Sequence, residues 1–203
     1  MHPTSAPPRS RGDWGMRVLQ PLILLAAMWV VRVLDAVLPG SWVTAFGIQS
    51  WVVEGLDGIL LSHSLHTGWP HLLANTIPFL VLGVIVALDG IGRFWAVTGI
   101  AGVIAGIGTW VFNTPGTVTV GASGLVFGYF GYIFARAFVA RSLGHGILYA
   151  LIAVAVVAVY GGSMLAGIFR AADGISWQAH LFGAIGGAVA ALILRPARPA
   201  VKP

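Results

Sequence analysis

The chain has 203 residues, of which 58% are hydrophobic and only 8% charged, and its mean hydropathy is +0.91. Soluble domains carry about 25% charged residues, so the composition excludes an ordinary soluble domain and points to an all-α chain that crosses a membrane several times. The absence of cysteine excludes disulfide frameworks and thiolate metal sites. The net charge of +5 sits beside apolar runs, where membrane topology places it, so no nucleic-acid partner is expected.

In chain order, residues 1–15, with Pro3, Pro7 and Pro8 among small and polar neighbours, read as a disordered tail. A hydrocarbon core of about 30 Å needs roughly 20 apolar residues per helix. Six such runs follow, at about 17–38, 71–89, 92–112, 121–140, 145–165 and 175–194. The first is preceded by Arg11 and Arg17, as a signal peptide would be. No small-x-small cleavage site follows it, and it extends past Arg32 and Asp35, so an uncleaved helix is expected. Arg32 and Asp35 share a helix face and are placed to pair near the membrane boundary. Segment 39–70 carries Trp42, Trp51, Glu54 and Asp57, and its "WVVEGLDGILL" suits a short amphipathic helix in the interface. The end, "RPARPAVKP", reads as a second tail over 196–203. The expected domain is therefore one six-helix unit, 16–195, without repeats, a seventh helix or a further cytoplasmic domain.

Basic residues set the orientation. With the N-terminus inside, Arg9, Arg11, Arg17, Arg93, Arg136, Arg141, Arg195, Arg198 and Lys202 face the cytoplasm, and only Arg32 and Arg170 lie outside. Both termini are then cytoplasmic. The second, fourth and sixth runs start at the outer face, and each opens on polar residues. "HTGWPHLLAN" carries His66, His71 and Asn75, "GASG" carries Ser123, and "WQAHLFGAIGG" carries His180. A rise of 1.5 Å per residue puts Ser123 and His180 within roughly 3–8 Å of their helix starts, at similar depth.

Each cluster also has a plain structural reading. Serine and glycine are common wherever transmembrane helices pack closely. His180 taken alone suits a hydrogen bond to a neighbouring helix, a metal or a proton relay, and His71 and Asn75, at i and i+4, suit loop capping. The glycines favour a closer arrangement. Gly124, Gly128 and Gly131 share one face of the fourth run, and His180, Gly183 and Gly187 share one face of the sixth. Two small faces let these helices approach and bring Ser123 within reach of His180, as a nucleophile and its base require.

"HxxxxHLxxN" (His66 to Asn75), "GxSG" (Gly121 to Gly124) and "AHxxGxxxG" (Ala179 to Gly187), in this order and at matching depth, resemble the rhomboid family of intramembrane serine proteases. The resemblance covers about 71 to 195 and the preceding loop, and implies a six-helix rhomboid-like bundle. It implies Ser123 as nucleophile, His180 as general base, and His71 and Asn75 joining the Ser123 amide at the oxyanion. His66 would order the loop. Gly121, Gly124, Phe127, Gly183 and Gly187 would support the site, Phe127 by packing on the His180 ring. The chain lacks the Trp-Arg pair that some relatives carry in the first loop. A Ser–His dyad needs no carboxylate, and Asp173, seven residues before His180, is not assigned as an orienter.

The resemblance further implies transmembrane protein substrates cut near the outer boundary, a bilayer as partner, a bacterial plasma membrane as location, and no cofactor or metal. The residues do not define an oligomeric state. HExxH and GxGD strings, which zinc and aspartyl intramembrane proteases need, are absent. Two other classes remain: a metal binder or transporter using His63, His66, His71 and His180, and an inactive client-binding relative. The third and fifth runs lack the midplane polar residues of a translocation path, and retention of both Ser123 and His180 argues against an inactive relative.

Overall fold

The computed structural model describes residues 11–140, 142–169 and 175–195. Residues 1–10 and 196–203 of the expected tails, together with Arg141, Arg170 and Asp173, lie outside the described residues. Six long helices carry the fold: α1 (Arg11–Val37), α2 (Trp69–Leu88), α3 (Ile91–Phe112), α4 (Ser123–Val139), α5 (Leu143–Phe169) and α6 (Trp177–Ile193). They match the six apolar runs. The exception is α1, which starts at Arg11 and so takes in residues 11–15, expected in the tail. Asp13 in its first turn suits the positive end of the helix.

Local chemistry accounts for the helix ends. Pro70 falls in the first turn of α2, where its missing N–H has no intrahelical partner to lose. Gly90, at φ +132°, turns the chain from α2 into α3 in a backbone region that L side chains rarely adopt. Ser176 caps α6, its Oγ accepting from the Ala179 amide at 3.3 Å.

Helix α4 sits at the centre, packed by α2, α3, α5 and α6. Its Tyr129 ring lies 5.5 Å from Phe79 of α2 and 5.8 Å from Phe94 of α3. The Tyr129 hydroxyl shares a 2.9 Å hydrogen bond with Thr98, so the buried phenol is satisfied. Four helical stretches, Asp13–Val37, Trp69–Leu88, Ile91–Phe112 and Leu143–Gly162, are long and apolar enough to cross a membrane. The central α4 and α6 are apolar but have 17 residues each. The outer helix faces expose large apolar side chains such as Phe138, Val154 and Val159. In water such faces would aggregate, whereas lipid covers them at no cost.

The segment between α1 and α2 is not one amphipathic helix. It breaks into short helical turns at Trp42–Phe46, Val53–Leu56, Gly58–Leu61 and Ser62–Ser64, and Ile48–Gln49 pairs antiparallel with Val118–Thr119. Close backbone packing explains the break, since a Cβ on Gly55 or Gly58 would overlap the chain at Gln49 or Gly47–Ile48. The segment docks on α3: the Trp110 indole donates to the Val52 carbonyl at 2.9 Å and stacks 6.0 Å from Trp51. Arg32 and Asp35 pair at 2.5 Å, as their spacing predicts, and Asp35 also accepts from the Trp42 amide at 2.8 Å.

Candidate active site

At the α2, α4 and α6 N-termini the chain forms an open cavity of about 440 Å³. Its lining includes His71, Asn75, Ser123, Phe127 and His180. Residues from three separate motifs therefore meet in one space.

Ser123 opens α4. Ala122 caps the helix without a side-chain hydrogen bond, so the first amides keep their donors, which have no intrahelical acceptor. Gly121 precedes them at φ +124°. A side chain is barred there twice over, by that backbone angle and by the His71 ring, whose Cε1 and Nε2 would lie 2.7 Å from a Cβ. The Gly121 amide donates to the Ser62 carbonyl at 2.9 Å.

His180 lies in the first turn of α6 and is buried. Its ring stacks on Phe127, with centroids 4.1 Å apart and planes within 8°. That contact depends on how closely α4 and α6 approach. A Cβ on Gly183 would overlap the Gly124 carbonyl oxygen, one on Gly187 that of Gly128, and one on Gly131 that of Ala184. A Cβ on Gly124 would stand 3.4 Å from the Ala179 carbonyl. Ser123 and His180 are the neighbours of Gly124 and Ala179, so the small faces set these two side chains beside one backbone contact.

On α2, His71 Nδ1 pairs with Thr67 Oγ1 at 3.2 Å, which leaves the Nε2 edge against Gly121. Asn75 is buried and donates one Nδ2 hydrogen to the His71 carbonyl at 2.9 Å, one helical turn back. His66 packs edge-on to His71, with centroids 5.0 Å apart, and its Nε2 accepts from the Ala122 amide at 3.4 Å. Burial pushes His66 down from 6.5 to about 4, helped by the charges of His71 and Arg32. It is therefore neutral near pH 7, as an acceptor ring must be. Among the described residues no three His, Asp or Glu side chains converge as a metal site would require. His63 instead spends Nε2 on the Gly102 carbonyl at 3.0 Å.

Of the expected site residues, His71, Asn75, Gly121, Ser123, Phe127 and His180 line the cavity, while Gly124, Gly183 and Gly187 stand at the α4–α6 contact. Thr67 and the Ser62 carbonyl were not legible as part of the site. Thr67 stands at i, i+4 to His71, a spacing that flags the pair, but a backbone carbonyl leaves no trace in a sequence.

The chain matches the Rhomboid domain family over residues 54–197. It is 38% identical over 180 residues to the uncharacterized protein Rv1337 of Mycobacterium tuberculosis, covering 85% of this chain and 73% of that one. It is 36% identical over 180 residues to ML1171 of Mycobacterium leprae, covering 85% and 69%. A Bacillus subtilis protein named "Putative rhomboid protease YdcA" is 34% identical over 173 residues, covering 82% of each chain. The chain belongs to the rhomboid family, and with its apolar helices it is a multi-pass integral membrane protein.

Proposed function

We propose that this chain is an intramembrane serine protease that cuts transmembrane segments of membrane proteins near the outer boundary, with Ser123 as nucleophile and His180 as its base. The observation that carries the reading is that Ser123 and His180 line one cavity, where the His180 ring stacks on Phe127 of the helix that Ser123 opens.

The chemistry follows from these groups. A serine hydroxyl attacks a peptide carbonyl only when a base takes its proton, and a neutral imidazole suits that task near pH 7. The Oγ–C bond forms, the proton passes to His180, and negative charge develops on the carbonyl oxygen. The Ser123 amide, at the positive end of α4, answers that charge. Asn75 has a second Nδ2 hydrogen to offer, and His71 an Nε2 hydrogen when Nδ1 accepts from Thr67. His180 then returns the proton to the leaving amine as the C–N bond breaks. Water from the outer side hydrolyses the acyl-enzyme by the same steps.

Access fits a membrane-embedded substrate. The cavity reaches Pro78 and Leu82 on α2 and Tyr160 on α5, two helices that barely touch among the described residues. In this reading all six long helices span the membrane as one unit over 16–195, both termini are cytoplasmic, and the home is a bacterial plasma membrane.

The test is labelling by a fluorophosphonate probe in proteoliposomes, beside cleavage of a single-span substrate. Wild-type protein should label and cleave, and Ser123→Ala should do neither. Cleavage retained by Ser123→Ala would remove the assignment.

A further inference from the structure

Two backbone donors just ahead of Ser123 are held by one short stretch of the outer segment. The Gly121 amide donates to the Ser62 carbonyl at 2.9 Å, and the Ala122 amide donates to His66 Nε2 at 3.4 Å. Between those two acceptors stands His63, which the chemistry above leaves unused. It is buried, lines the cavity, and donates Nε2–H to the Gly102 carbonyl of α3 at 3.0 Å.

The Gly121 carbonyl and the Ala122 amide belong to one peptide unit. His66 meets its nitrogen end, and the Ser62 carbonyl holds the amide of the peptide just before it. This unit needs holding, because Gly121 at φ +124° has no side chain to resist a flip of the plane that follows it. Rotation at Gly121 that the next residues do not undo would move the start of α4 and the Ser123 amide with it. The surroundings leave the His63 ring little freedom: a Cβ on Gly102 would lie 3.2 Å from Nε2, and one on Gly124 would lie 3.6 Å from Cε1.

We propose that His63 and His66 are positioning residues: His66 and the Ser62 carbonyl hold the Ala122 and Gly121 amides, and His63 anchors that stretch, so that the start of α4 and its Ser123 amide are set in place. His63 also ties this clamp to α3 through Gly102, which makes the outer segment a template for the nucleophile turn. The inference rests on the protease reading and adds to it the means by which its oxyanion donor is set in place. Misplacement of a reacting group by about 1 Å costs on the order of a hundredfold in rate, so loosening the clamp should lower kcat and leave substrate binding largely intact.

The experiment compares His63→Phe, which keeps a ring but loses the N–H, with His63→Gln, which keeps an N–H donor. Both are purified in detergent, corrected for folded fraction, and assayed for kcat, KM and the rate of fluorophosphonate labelling. His63→Phe should lose about ten- to a hundredfold in kcat and labelling rate, with KM within about twofold, and His63→Gln should recover most of the loss. His66→Asn, which keeps an acceptor for the Ala122 amide, should outperform His66→Leu in the same way. If wild type is active and His63→Phe matches or exceeds His63→Gln in kcat per folded molecule, the inference is overturned while the protease reading stands. If wild type neither cleaves nor labels, the protease reading falls and takes this inference with it.

Discussion

Ser123 and His180 act as a unit in the proposed chemistry, whereas His71 and Asn75 each add one donor to an oxyanion that the Ser123 amide already faces. Removing Ser123 or His180 should therefore abolish cleavage, and removing both should be no worse than removing one. Asn75→Ala and His71→Ala should each leave measurable turnover, lower by about 10²–10³, in single-turnover assays on a transmembrane substrate. The histidines of the outer segment carry a pH consequence. His66 is held at about 4 by burial, then by His71 on α2 and Arg32 on α1, against the opposing Ser64 carbonyl. Burial also pushes His63 down, against the carbonyls of Gly102, Gly121 and Ile59. In the unfolded chain both titrate near 6.5. Between about 6.5 and 4 the unfolded chain binds protons that the folded chain refuses, so stability falls as pH falls through that window. For His66 the gap amounts to on the order of 3 kcal/mol. Thermal unfolding in detergent at pH 7.5 and 4.5 should show this loss, and His66→Asn should reduce it.

Helices α4 and α6 meet through backbone atoms, and the site depends on that closeness. Gly183→Val or Gly187→Val would drive side-chain atoms into the Gly124 or Gly128 carbonyl. Overpacking of this kind costs about 1–3 kcal/mol or more, so both should lower the melting temperature and activity, whereas Ser123→Ala should leave stability nearly unchanged. The far ends of the helices are held by different means. Asp89, at the end of α2, accepts from the Tyr132 hydroxyl of α4 and the Tyr149 hydroxyl of α5, both at 2.6 Å, and pairs with Arg136 at 3.3 Å. Arg136 is buried, and its Nη1 has no hydrogen-bond partner among the described residues. Asp89→Ala would strip that buried guanidinium of its counter-charge, an event that costs about 3–5 kcal/mol. The expected result is a large drop in melting temperature, with Asp89→Asn, which keeps hydrogen-bonding capacity, in between.

For the whole molecule, orientation is the testable property. Cysteines placed at Thr117 or at the exposed Val53 should react with impermeant reagents from outside intact cells, and cysteines at Arg93 or Leu143 should be protected. The reverse pattern would put the cavity at the cytoplasmic face and remove the outer-boundary reading. Proteolysis by serine and histidine alone should also survive strong chelators. Loss of cleavage on chelation, restored by zinc, would turn the reading to metal chemistry.

The sequence by itself determined the six helices, because runs of about 20 apolar residues can satisfy their backbone in lipid only as helices. It also indicated which helix faces pack together. Glycines at helical spacing on two runs call for two small faces to pack, and those faces do meet, with Ser123 and His180 lining one cavity. The Phe127–His180 stack follows from the same periodicity, since Phe127 lies one turn below Ser123. Tertiary structure decided the outer segment. "WVVEGLDGILL" has the composition of an amphipathic helix, yet Gly55 and Gly58 press against the Gln49 and Ile48 backbone and the segment folds as separate turns. The two-residue ladder between Ile48–Gln49 and Val118–Thr119 joins positions about 70 apart in the chain, too short and too distant to leave a periodic signal. The grip of Ser62 and His66 on the Gly121 and Ala122 amides has the same origin. Backbone hydrogen bonds between remote loops depend on where the helices bring those loops, not on the residue types within them.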